Sequence, residues 1–130
     1  MATTTATINI ASADLTDNAL NFTNTATLNK RGNLEGLDTI ISATKTFTST
    51  SAVDLVAVTG FTATAANKVY IANTGTSESD YFTIGIQSEE VGRLYGGDWM
   101  FIPWSADTDD DITITPSVAT AMTAEYMVFS

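Results

Sequence analysis

A chain of 130 residues with 44% hydrophobic content suits one domain with a sizeable core, and its formal net charge of -10 turns it away from nucleic-acid phosphates and anionic membranes. Cysteine and histidine are both absent, which removes disulfides, thiolate nucleophiles and the commonest general base and metal ligand. The opening Met1-Ala2-Thr3-Thr4-Thr5 has no basic or apolar leader region, and no apolar run is long enough to span a bilayer, so the expected product is soluble and cytosolic when made.

In chain order, Ala6 to Ile10 and Leu20 to Leu28 read as strands, because β-branched and apolar residues alternate with threonine and asparagine. Lys30-Arg31-Gly32-Asn33-Leu34-Glu35-Gly36 breaks this pattern with two glycines and mixed charges, which predicts a boundary. Residues 1–35 are therefore expected to form an extended arm, whose sheet partners could lie outside its own domain, and residues 36–130 a β-sandwich. Within the latter, Thr44 to Thr48 and Val53 to Val58 read as strands, followed by the period-2 segments Lys68 to Ile71 and Tyr81 to Ile86. Asn73-Thr74-Gly75-Thr76 is a turn between them, and Gly96-Gly97 permits the positive φ angles of a tight hairpin. Trp99 to Trp104 is apolar on both faces, which predicts a strand buried on both sides by the core or by a neighbouring subunit. Asp111 to Thr115 and Ala124 to Phe129 close the series. Many short strands at this spacing predict an all-β, antiparallel sandwich of jelly-roll type.

Few residues invite chemistry. Asp107, Asp109 and Asp111 match the opening of a calcium loop, but Ile112 stands where its glycine belongs and Val118 where its bidentate glutamate belongs. A solvated turn is the expected reading, with no metal and no cofactor required. Glu89-Glu90 fails as a glycosidase pair, since adjacent strand residues point to opposite faces. No nucleophile elbow, S-x-x-K motif, P-loop or dinucleotide fingerprint occurs, so an enzyme is not expected. Gly97 to Pro103 looks like the G-x5-P segment of cupin jelly rolls, though that family's metal-binding histidines are missing, so only fold similarity is implied. Tyr81, Tyr95, Trp99, Phe101 and Trp104 could alternatively form an aromatic platform for a sugar.

Several strings, taken together, carry a family resemblance. Ala6-Thr7-Ile8-Asn9-Ile10, Lys45-Thr46-Phe47-Thr48, Asn67 to Gly75, Glu89 to Trp104 and the closing Glu125-Tyr126-Met127-Val128-Phe129 resemble small virion proteins of tailed bacteriophages. The resemblance spans most of the chain and rests on structural strings rather than catalytic signatures. It implies a capsid decoration (cement), head-fibre or tail-associated protein, assembled in the host cytoplasm and carried in the virion. The expected partners are further copies of the chain, a homotrimer foremost, and the major capsid or other virion proteins. Ile8, Ile10, Leu20, Phe22, Trp99, Phe101 and Trp104 are the expected assembly residues. The alternative function is a carbohydrate or receptor-binding module on a tail or head fibre.

Overall fold

The computed structural model describes residues 3–29, 36–63 and 67–130. Ten strands and no helix occur among them, as the threonine and β-branched content favours. They are β1 (Thr4–Ser12), β2 (Leu20–Leu28), β3 (Ile40–Phe47), β4 (Val53–Val56), β5 (Asn67–Asn73), β6 (Tyr81–Ile86), β7 (Glu89–Tyr95), β8 (Trp99–Trp104), β9 (Ile112–Pro116) and β10 (Met122–Phe129). Two compact units result, residues 1–38 and 39–130. All of the expected boundary segment except Gly36 lies outside the described residues; Gly36 itself forms an isolated antiparallel bridge with Asn29.

In the first unit β1 and β2 pair with each other in an unbroken antiparallel register from Thr4 opposite Leu28 to Ser12 opposite Leu20. These strands, whose sheet partners could lie outside their own domain, pair with each other as a two-stranded ribbon. Seven residues, 13–19, join them, with the Ser12 hydroxyl accepting from Leu15 N at 3.1 Å.

The second unit is a sandwich of two four-stranded antiparallel sheets, ordered β3-β10-β5-β8 and β4-β9-β6-β7. The pairing is nested: β6 joins β7, β5 joins β8, β4 joins β9 and β3 joins β10. Such nesting results when one long antiparallel ribbon, with β6 and β7 at its tip, is folded over on itself so that alternate pairs enter opposite sheets. The core lies between the sheets. Phe47, Val69, Ile71, Trp104, Met122, Ala124 and Val128 from one meet Leu55, Val56, Phe82, Ile84, Leu94, Ile112 and Ile114 from the other. Alternation along β5, β9 and β10 supplies half of these residues. Leu55 and Val56 are both buried although adjacent, because a bulge in β4 opposite β9 turns both inward.

The turns differ from expectation. Gly96-Gly97 does not close a hairpin: it carries the chain from β7 in one sheet to β8 in the other, with Gly97 at φ 88°. The tight hairpin is instead β6 to β7 through Gln87-Ser88, where Gln87 takes φ 56° without a glycine to advertise it. At Gly96 a side chain would collide with backbone, since a Cβ there would lie 2.5 Å from Ser77 O. Strand β3 begins at Ile40, four residues before the expected Thr44, because β10 is long enough to pair with it as far as Phe129.

Candidate functional site

Two surfaces have the apolar character that assembly or binding requires. The first is the β1–β2 ribbon. Its register places Ala6, Ile8 and Ile10 on the same face as Leu20, Phe22, Ala26 and Leu28, with Asn24 opposite Ile8 and Thr4 and Ser12 at the ends. The opposite face carries Thr5, Thr7, Asn9, Ala11, Asn21, Thr23, Thr25 and Thr27. On that polar face the hydroxyls of Thr7 and Thr25 are hydrogen-bonded at 2.8 Å, and Thr23 donates to Asn9 Oδ1 at 3.5 Å. Of the apolar face, Leu28 is buried and Leu20 half-buried, while Ile8, Ile10 and Phe22 are 39%, 47% and 47% exposed. Neither strand contains a charged residue.

The second surface is the outer face of the β3-β10-β5-β8 sheet. The register aligns Ser42, Met127, Tyr70 and Phe101 in one row, and Thr44, Glu125, Ala72 and Trp99 in the next. Ile40, Phe129, Lys68 and Pro103 form a third row. Tyr70 and Trp99 lie 6.2 Å apart, and Phe101 and Phe129 meet edge to face at 6.3 Å. Partial burial lowers the pKa of Lys68 below the usual lysine value.

This face also narrows the expectation for β8. Within the chain the strand is not covered on both sides: it is an edge strand with Trp99 51% exposed, so the core covers one face and any cover on the other would have to come from a neighbouring subunit. Phe101, on the same outer face, is half-buried. Trp104 points the other way. It is only 3% exposed, packs edge to face on Phe61 at 5.1 Å, and donates Nε1–H to Asp110 O at 2.8 Å. It is therefore a core residue with no surface to offer an assembly partner. Its chemical similarity to Trp99 hid this, since strand alternation alone does not say which face is covered.

No family model matches the chain, and neither a curated protein nor a solved structure is similar to it. The geometry of its own residues is what remains.

The acidic turn is occupied largely by structural bonds. Asp111 Oδ1 accepts from Val58 N at 2.7 Å, Asp110 Oδ2 from the Ser105 hydroxyl at 2.6 Å, and Asp107 Oδ1 from Thr108 N at 2.7 Å. Asp109 sits at φ 67°, a conformation aspartate tolerates better than most residues. Asp54, Glu89, Asp109 and Asp111 line an open depression of about 470 Å³ with Gln87, Ser88 and Thr113. Among the described residues no group of three or more acidic side chains is arranged to hold a metal ion. At the start of β7, Glu90 accepts from Arg93 Nε at 3.1 Å and raises its pKa. The same guanidinium lies over the Tyr81 ring, 4.9 Å from its centre.

Proposed function

We propose that this chain is a structural component of a tailed-bacteriophage virion, acting as a capsid decoration protein that stabilises the shell through subunit contacts. The reading is carried by one observation: a well-filled sandwich is joined to a ribbon whose two strands are uncharged and expose Ile8, Ile10 and Phe22 on one face. A two-stranded ribbon is at best marginally stable in water, so an exposed apolar face on one favours a protein that works while bound. The nested strand order supports reading residues 39–130 as a jelly roll, an architecture found in viral capsid domains, lectins and cupins. Fold alone serves all three, and the ribbon favours the first. Copies of the chain and the virion shell are the partners this reading assigns, with the location in the assembled particle.

The test is to band purified virions by density and quantify the chain by mass spectrometry against the major capsid protein. A fixed ratio that survives repeated banding supports decoration, and absence from the banded particles overturns it.

A second reading is favoured by the exposed Trp99 beside Tyr70, which presents ring faces of the kind that stack on sugars. It requires glycan binding that is lost in Trp99→Ala while the melting curve is unchanged. Trp104→Ala cannot serve in this test, because Trp104 is buried in the core.

A further inference from the structure

The geometry of the ribbon points to its occupant: we propose that the apolar face of β1–β2 packs against the same face of other copies of this chain. The inference deepens the assembly reading above and rests on it.

Charge distribution selects the partner. The chain carries fifteen acidic residues against five basic ones, yet Thr4–Ser12 and Leu20–Leu28 contain neither kind. Residues 39–130 hold eleven of the acids and three of the bases, so two sandwiches repel when brought together. The ribbon is the longest paired surface on which copies can meet without juxtaposing like charges. A basic partner would be drawn chiefly to the sandwich, since the paired strands carry no charge and the ribbon's acids, Asp14 and Asp17, lie in the connection at its tip. A pair of uncharged strands with Ile8, Ile10 and Phe22 on one side is complementary to another of the same kind, and repetition about a rotation axis is how identical patches close.

Side-chain direction makes the contact one of faces rather than edges. Ile8, Ile10 and Phe22 project from a single side, where Ile10 and Phe22 form a cross-strand pair next to the central Ile8, which faces Asn24. Thr7 and Thr25, hydrogen-bonded to each other on the reverse side, remain in water. Burying the three exposed apolar side chains in each copy is the gain that offsets the entropy of association.

The experiment compares substitutions on the two faces by light scattering at tens of micromolar. The full chain is expected at a multiple of 13.8 kDa. Ile10→Asp and Phe22→Asp should reduce it to the monomer mass, while Thr7→Asp and Thr25→Asp should leave the oligomer intact. Near-ultraviolet circular dichroism of the buried Trp104 reports whether the sandwich is still folded in each variant.

Because the chain has no cysteine, a second measurement avoids placing charge in the ribbon. Under mild oxidation Ile8→Cys should give a disulfide-linked dimer and Thr7→Cys should not. A monomeric full chain overturns the proposal, as does an oligomer indifferent to Ile10→Asp and Phe22→Asp, or cross-linking through Thr7→Cys instead of Ile8→Cys. A chain that is monomeric yet present in banded virions removes self-association and leaves the virion reading standing. An oligomer that responds to the face substitutions but is missing from virions supports this proposal and removes the other.

Discussion

Asn73 is buried in β5, where its side-chain amide donates to Leu94 O in the opposite sheet at 3.0 Å and its Oδ1 accepts from Gly75 N at 2.9 Å. Its backbone N–H donates to Asp98 O at 2.9 Å, so one residue ties β5, β7 and the turn before β8 together. Asn73→Leu would leave the Leu94 carbonyl buried without this donor and should cost about 1–3 kcal/mol in urea unfolding. The two tryptophans give a sharper contrast. Trp104→Ala removes a core ring and should cost about 3–5 kcal/mol, whereas Trp99→Ala on the open face should stay within about 0.5 kcal/mol. Sequence could not separate them, because β8 reads as apolar on both faces and edge position is a property of the sheet. In the acidic turn Ile112 and Val118 stand where a calcium loop needs glycine and glutamate. Excess chelator is accordingly expected to leave the melting temperature unchanged, and a loss of several degrees restored by calcium alone would contradict this.

At the scale of elements, nine of the ten strands were read from the sequence, β7 (Glu89–Tyr95) being missed because Glu89, Glu90, Gly92 and Arg93 blur its alternation, and connection type was read poorly. Tyr81 to Ile86, Trp99 to Trp104 and Leu20 to Leu28 have the expected bounds, since in each the apolar pattern ends where the pairing does. The connections misled because a glycine pair signals a sharp turn without saying which sheet the next strand joins. Gly96→Ala and Gly97→Ala test the two physical reasons for glycine there. Gly97→Ala should cost about 1 kcal/mol through its positive φ, and Gly96→Ala more, because its Cβ meets backbone that cannot yield as a side-chain tip would. Gly92→Ala, with open space around the new methyl and an ordinary φ, should be neutral in the same thermal melts. Removal of residues 1–38 should leave a sandwich that still melts cooperatively, because the core cluster draws only on residues of the second unit. A truncated chain that fails to fold would show that the ribbon belongs to the core. The ribbon's one-sidedness was present in the sequence as Ile8, Ile10, Leu20 and Phe22, but only the register shows that both strands turn these residues to one side.

Over the whole molecule the surplus of acid is concentrated in the sandwich, where the Asp107–Asp111 turn and Asp54 and Glu89 crowd one end. Mutual repulsion there should make the melting temperature rise as salt is raised from low ionic strength to about 0.15 M, where screening acts over roughly 8 Å. Salt should strengthen self-association in the same range by shielding sandwich from sandwich, and light scattering across a salt series checks it. The all-β class followed from composition and period. The nested strand order did not, since pairings such as Ile40 with Phe129 join residues far apart in the chain and no local pattern encodes them.

That order has a consequence for how the protein is born. Each sheet has, as one of its two inner strands, one of the last two strands in the chain: β10 lies between β3 and β5, and β9 between β4 and β6. While the ribosome is still short of Ile112, the only sandwich pairings that can form are the β6–β7 hairpin and the β5–β8 pair, and β3 and β4 have no neighbour at all. Pairings this distant in sequence close slowly and late. A polypeptide that stops before Ile112 therefore lacks an inner strand of each sheet and has no sandwich to fold into.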